Sequence, residues 1–179
     1  MRSAFAMCSA FLLSFPAASD VTWQKESGFE SVNVAEVAPT PGDVWQHLVK
    51  PETWWHDDHN WSGKSANLSL DPVAGGCFCE TLPGGGSVEH LRVTFAKPGD
   101  TLRLRGGLGP LQEHAITGAQ TWKLEATESG GTKITLTYRV TGTLEGSVAD
   151  WAGAVDYVHG EQLTRLARLV NTGSPDPAE

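Results

Sequence analysis

The sequence predicts an α+β fold, a curved antiparallel sheet of six to seven strands wrapped around one long C-terminal helix, with two short helices after the first strand. Three observations carry this. Ser147–Val170 has the strongest helical period in the chain: Val148, Trp151, Val155, Val158, Leu166 and Leu169 recur at three- and four-residue steps, mostly opposite Asp150, Asp156, Glu161, Arg165 and Arg168. Upstream, alternation at period two dominates, clearest in Thr132–Thr143, where Ile134, Leu136, Tyr138 and Val140 oppose Thr135, Thr137 and Arg139. Short Gly- and Pro-rich turns join these strands, which makes neighbours antiparallel and leaves one apolar face for the helix to cover.

Asp20–Gly28 is polar and reads as a loose lead-in, and Phe29–Ala38 as the first strand. Thr40-Pro41-Gly42-Asp43 then opens a helix: Thr40 can cap it, Pro41 fits the first turn and Asp43 favours the positive end. Val44, Trp45, Leu48 and Val49 carry its apolar face, Pro51 stops it, and a second short turn runs to Trp55. His56–Lys64 reads as polar loop. Strands follow at Ser65–Leu70, Cys77–Leu82, Ser87–Ala96, Thr101–Arg105, Ile116–Thr127 and Thr132–Thr143, with Gly106–Gln112 an irregular crossing. Ser147, with Asp150 three residues on, caps the last helix.

The first nineteen residues read as a secretory signal. Arg2 precedes an apolar run from Ala4 to Phe15, and Pro16-Ala17-Ala18-Ser19 has the small-residue exit of a cleavage site. Residues 20–179 then form one domain. This places the protein outside the cytoplasm, secreted or periplasmic; without the signal it would be cytoplasmic. The apolar run is too short to span a bilayer, so no stable membrane insertion is expected. The whole chain has 13 basic and 21 acidic residues, and no Lys/Arg cluster, which argues against nucleic acid as a partner.

The order of strand, two short helices, run of strands and long helix is that of the helix-grip fold. Pro41-Gly42-Asp43-Val44-Trp45, Pro51-Glu52-Thr53-Trp54-Trp55, Gly75-Gly76-Cys77-Phe78, Val93-Thr94-Phe95-Ala96-Lys97-Pro98 and Gly130-Gly131-Thr132-Lys133-Ile134-Thr135-Leu136-Thr137 extend the likeness. In order and spacing they resemble the SRPBCC superfamily of START lipid-transfer domains, pollen allergens and polyketide cyclases. Within it the chain is most similar to homologues of the heat-shock ATPase activator's C-terminal domain. The resemblance runs from about Phe29 to Val170. It implies a deep cavity between sheet and last helix for apolar or mixed-polarity small molecules, and no shared catalytic residues.

Several side chains could carry chemistry. Strand parity places Glu89 inside with Leu91, Val93 and Phe95, and Glu80 with Phe78 across a Pro-Gly-Gly-Gly hairpin. Two such carboxylates near one pocket would have separated pKa values and could act as general acid and base; the plainer alternative pairs Glu89 with Arg92 or Arg103 at the surface. His159, beside Val155 and Val158, could orient an oxygen or simply sit at the core border. His56-Asp57-Asp58-His59 is the densest set of possible metal ligands, but no third ligand has a motif spacing, so it reads as a solvated loop and no metal or cofactor is expected. Cys77 and Cys79 share a strand face; an extended strand opposes a bridge between them, and they read as small packed residues.

No nucleophile elbow, phosphate loop, dinucleotide fingerprint or HExxH is present. The first expectation is therefore a binding protein for a small hydrophobic or aromatic molecule. Trp54, Trp55, Glu89, Leu91, Trp122, Tyr138, Trp151, Val155 and His159 are the expected ligand contacts, with Trp151 and Val155 facing Trp122 and Tyr138. An alternative is a cofactor-free cyclase or isomerase with Glu80, Glu89 or His159 as catalytic groups. A third is a protein-interaction module on an aromatic rim near Trp54 and Trp61, which calls for no cavity.

Overall fold

The computed structural model describes residues 18–177, and most of the expected signal segment lies outside that range. Eight antiparallel strands form one sheet: β1 Ala18–Lys25, β2 Gly28–Val37, β3 Leu68–Leu70, β4 Cys77–Thr81, β5 Ser87–Lys97, β6 Thr101–Arg105, β7 Ala115–Ala126 and β8 Thr132–Thr143. Their spatial order is β1-β2-β8-β7-β6-β5-β4-β3. Two α-helices complete the frame, α1 Pro41–Leu48 and α2 Ala152–Thr172. This is the helix-grip arrangement. Among the described residues no helix is long and apolar enough to cross a membrane.

The helix boundaries follow from local chemistry. Thr40 Oγ1 accepts the Asp43 N–H at 3.4 Å, and Pro41 fills the first helical position of α1. Ser147 Oγ accepts the Ala149 N–H, so the last helical segment opens with a 3-10 turn, Val148–Trp151, before α2. Gly173 ends α2 in the left-handed conformation, φ 84°, and its N–H bonds back to Leu169 O. Leu163, Leu166 and Leu169 of α2 share one apolar core with Trp45, Leu48, Trp122, Leu124, Ile134 and Leu136.

Three departures from the sequence reading matter. The lead-in is an edge strand: β1 pairs with β2 from Ala18↔Val34 to Lys25↔Gly28, and its mostly exposed side chains hide it from a burial pattern. Only the last three residues of Ser65–Leu70 are strand, after a 3-10 turn at Ser65–Asn67. Most consequentially, β5 carries two irregularities, one against β4 at Phe78/Cys79 and one against β6 at Val93/Phe95. Each bulge adds a residue and reverses the in–out alternation beyond it. His90 and Leu91 are therefore both buried, Glu89 is exposed, and Phe95 is 44% exposed.

A disulfide joins Cys77 and Cys79, correcting the expectation of two separate packed cysteines. Their Cα atoms lie 5.3 Å apart, shorter than the roughly 6.6 Å of two residues in a regular strand. The irregularity in the β4–β5 pairing falls between Phe78 and Cys79, inside this span.

Gly160, in the middle of α2, causes no break in the helix. A Cβ there would stand 3.0 Å from Asn33 Oδ1, so glycine lets α2 settle against β2. The contact is polar. Asp156 Oδ1 accepts from Ser31 Oγ at 2.6 Å and Asn33 Nδ2 at 3.2 Å, and Asp156 Oδ2 accepts from Ser19 Oγ.

Candidate functional site

A pocket of about 370 Å³ opens beside the N-terminal half of α2. Four parts of the chain build it. Helix residues Trp151, Ala154, Val155, Val158 and His159 form one wall, and Leu108–Leu111 of the β6–β7 crossing form a second. Trp55 and Asp58–Trp61 form the rim, and His90 of β5 enters from the sheet. The volume lies in the range of small-molecule sites, about 300–1,000 Å³.

The crossing is held by Tyr138. Its hydroxyl donates to Gly106 O at 2.8 Å and accepts the Leu108 N–H at 3.0 Å, and burial raises its pKa far above the ordinary phenol value. Gly118 on β7 makes room for that ring, since any Cβ there would collide with it. Tyr138 is thus a buried support behind the pocket wall.

The rim is tied to α2. Arg165 Nε donates to Trp54 O at 2.8 Å, the His56 N–H donates to Gln162 Oε1 at 2.9 Å, and His59 Nε2 meets Glu161 Oε2 at 2.6 Å. Trp55 Nε1 donates to His59 O at 2.9 Å, which fixes the turn from within.

Two buried histidines line the pocket, and their hydrogen bonds define their protons. An indole N–H can only donate, so Trp122 Nε1 at 3.0 Å fixes the Gln120 side-chain oxygen toward itself. The Gln120 amide nitrogen then faces His159 Nε2 at 3.2 Å and donates to it. The proton of neutral His159 therefore sits on Nδ1, a buried donor with no protein partner. Burial pushes the His159 pKa down to about 4, against a weaker upward pull from Asp156, so the ring is neutral at pH 7.

His90 is fixed differently. Burial raises the Glu80 carboxyl, but hydrogen bonds from Ser62, the Trp61 N–H and His90 outweigh it and hold the group below its ordinary value. The ionised Glu80 can only accept, so His90 Nε2, 2.9 Å away, carries the proton. Burial lowers the His90 pKa more than Glu80 raises it, which leaves Nδ1 of a neutral ring as the acceptor.

The expected site residues separate into three groups. Trp55, Trp151, Val155 and His159 line the pocket. Trp54, Leu91, Trp122 and Tyr138 are buried but lie behind the wall; Trp122 packs on Trp54 at 5.8 Å between ring centroids. Trp151 and Val155 pack on the same apolar cluster as Tyr138, as expected, whereas Trp122 belongs to the other cluster with Trp54; His114 stands beside Trp151 at 6.2 Å between ring centroids. Glu89 lies on the outer face, bonded to Arg92, and pairs in register with Cys79; the Glu80–Glu89 acid pair does not form. Glu80 itself is buried, with its oxygens bonded to the Trp61 and Ser62 amides and to His90. His90 and the Leu108–Leu111 wall escaped the sequence reading. A bulge reversed the parity of one, and no periodic signal marks the other.

Fold and site together describe a helix-grip protein with a pocket between the sheet and its C-terminal helix. No protein-family model matches the chain, and no curated protein sequence matches it. Solved structures do share its fold. An uncharacterised protein from Rhizobium leguminosarum superposes with TM-score 0.61 at 16% identity, over 87% of this chain and 98% of that one. CalU16 from Micromonospora echinospora has TM-score 0.55 at 15% identity, over 89% and 88%. The di-domain ARO/CYC StfQ from the steffimycin biosynthetic pathway has TM-score 0.56 at 16% identity, over 84% of this chain and 52% of StfQ. These are likenesses of fold.

Proposed function

We propose that the protein binds one small hydrophobic or aromatic molecule in the pocket between α2 and the sheet. The observation that carries this is the pairing of an apolar wall, from Trp55, Leu108, Leu111, Trp151, Val155 and Val158, with two unpartnered buried donors on lining residues, His159 Nδ1–H and Asn60 Nδ2. Every 100 Å² of ligand apolar surface covered there contributes about 2.5 kcal/mol before the entropic cost of association. An acceptor oxygen on the ligand would satisfy His159 and set the ligand's orientation. That the fold neighbour StfQ is an ARO/CYC protein of a biosynthetic pathway supports small-molecule use of this architecture. The test is native mass spectrometry of the purified protein after incubation with host extract, beside the Val155→Trp/Val158→Trp variant. The reading expects a retained small-molecule mass on the wild type alone. Bare protein in both samples overturns it.

One observation favours a second reading, an acid–base enzyme of the cyclase or isomerase kind. His90 lines the pocket with its tautomer set by buried Glu80, the arrangement of a general base and its orienting carboxylate. Under this reading the ligand eluted from the wild type differs chemically from that eluted from His90→Gln. Identical eluates count against it. A chaperone-activating or other interaction role has less support, because Trp54 is only 2% exposed and cannot form a rim; Trp61 alone is half exposed.

We also propose export. The Cys77–Cys79 disulfide fits an oxidising compartment and supports an export signal, whose cleavage would have to precede Ala18 because Ala18 and Ser19 pair in β1 and Ser19 Oγ bonds to Asp156.

A further inference from the structure

We infer that His56, His59 and Glu161 form a binding site for one divalent transition-metal ion, Zn²⁺ in the first instance, at the rim of the pocket. The sequence offered two histidines three residues apart and no third ligand. The fold supplies it from α2, more than a hundred positions along the chain. One donor atom from each of the three residues lies within 4.8 Å of the others.

The geometry is close to that of a bound ion. A tetrahedral centre with bonds of about 2.0–2.1 Å separates its ligand atoms by about 3.3 Å. His59 Nε2 stands 2.6 Å from Glu161 Oε2, and His56 Nε2 stands 3.9 Å from Glu161 Oε1. These are two oxygens of one carboxylate, so ligation through a single oxygen requires the carboxylate to turn between the two rings and its contact with His59 to open by about 0.7 Å, a matter of side-chain torsions. The backbone is already in place, because the Gln162 and Arg165 side chains pin His56 and Trp54 to α2. Arg165 adds little repulsion, since its guanidinium is paired with Asp176 at 2.6 Å.

Ligation also relocates one proton. His56 Nδ1 now accepts the Asp58 N–H at 3.1 Å, which places the proton of the neutral ring on Nε2. Coordination through Nε2 breaks the hydrogen bond that Nδ1 accepts from the Asp58 N–H, leaves that amide to solvent, and moves the proton to Nδ1. The Asp58 carboxylate, with Oδ2 at 3.8 Å, is positioned to accept it, as second-shell carboxylates do for metal-bound histidines. Two nitrogens and one carboxylate oxygen suit Zn²⁺ and its neighbours better than Mg²⁺ or Ca²⁺. Of the three ligands His59 lines the pocket, so the site lies at its rim. An ion there would attract ligands bearing a carbonyl or carboxylate oxygen.

The site stands on its own residues and does not depend on what fills the pocket, so its test uses Zn²⁺ alone. Isothermal titration of the full chain at neutral pH, with wild type, Glu161→Gln, His59→Ala and His47→Ala, measures stoichiometry and affinity. The expected result is one Zn²⁺ per chain, at least tenfold weaker binding in Glu161→Gln and His59→Ala, and no change in His47→Ala. Co²⁺ in place of Zn²⁺ should give visible d–d bands without a thiolate charge-transfer band. Should His59→Ala fail to fold, Glu161→Gln, which preserves side-chain volume, decides alone. No binding up to millimolar Zn²⁺, or equal affinity in wild type and Glu161→Gln, reduces the cluster to a His–carboxylate hydrogen bond and overturns the inference.

Discussion

Lowering the pH should destabilise this protein through His159 before its carboxylates titrate. The ring is 1% exposed, and its folded pKa is about 4 against an ordinary 6.5. Between these values the unfolded chain takes up a proton that the folded chain refuses, so stability rises with pH across the window. His159 therefore contributes nothing unfavourable above pH 6.5, and its penalty grows as pH falls toward 4. A depression of about 2.5 units corresponds to about 3 kcal/mol, an order-of-magnitude figure. The perturbation is His159→Gln, whose amide can still accept from Gln120 but does not titrate. Urea unfolding of both proteins at several pH values from 7.5 to 4 gives the comparison. Subtracting the two curves removes the shared contribution of His90, which is also depressed by burial. The difference between variant and wild type should shift in the variant's favour by about 3 kcal/mol over that range. Parallel curves would refute the burial argument and, with it, the assignment of His159 as a neutral donor.

Three further predictions use the same frame. Glu80→Gln replaces a buried carboxylate that holds two backbone amides and His90, and should cost about 2–3 kcal/mol in urea unfolding, whereas Glu89→Gln should change stability by under about 0.5 kcal/mol because its partner Arg92 is half exposed. Tyr138→Phe strands the Leu108 N–H and leaves Gly106 O with the Gly118 N–H alone; it should cost about 1–3 kcal/mol and speed amide exchange in Leu108–Leu111. Reducing the Cys77–Cys79 disulfide should cost less than about 2 kcal/mol, since the loop it closes is very short.

Much of the frame was legible because it rests on local rules. The Gly- and Pro-rich turns announced antiparallel neighbours, Thr40 and Pro41 announced α1, and the period of Ser147–Val170 announced α2. Errors arose where a single residue changes the count. The β5 bulges exchanged the faces of Glu89 and His90, and alternation alone carries no mark of a bulge. Glu80 was placed on its correct face because the extra residue of the β4–β5 bulge, His90, lies on β5, so β4 keeps its alternation and Phe78 and Glu80 are both buried. The two breaks in the apolar stripe of α2 serve its docking: Gln162 holds the His56 amide, and Gly160 leaves room for Asn33. Glu161 could not be recognised as a partner of His56 and His59, because their meeting depends on how α2 docks.

The proposed function stands or falls on whether the pocket takes an apolar or aromatic molecule. Titration with the neutral fluorescent probe N-phenyl-1-naphthylamine tests it most directly, with the wild type and Val155→Trp/Val158→Trp in parallel. Saturable binding of one probe per chain to the wild type is expected, with transfer from tryptophan emission, and loss of that binding in the variant. No saturable binding to the wild type, or equal binding to a folded variant, would contradict it.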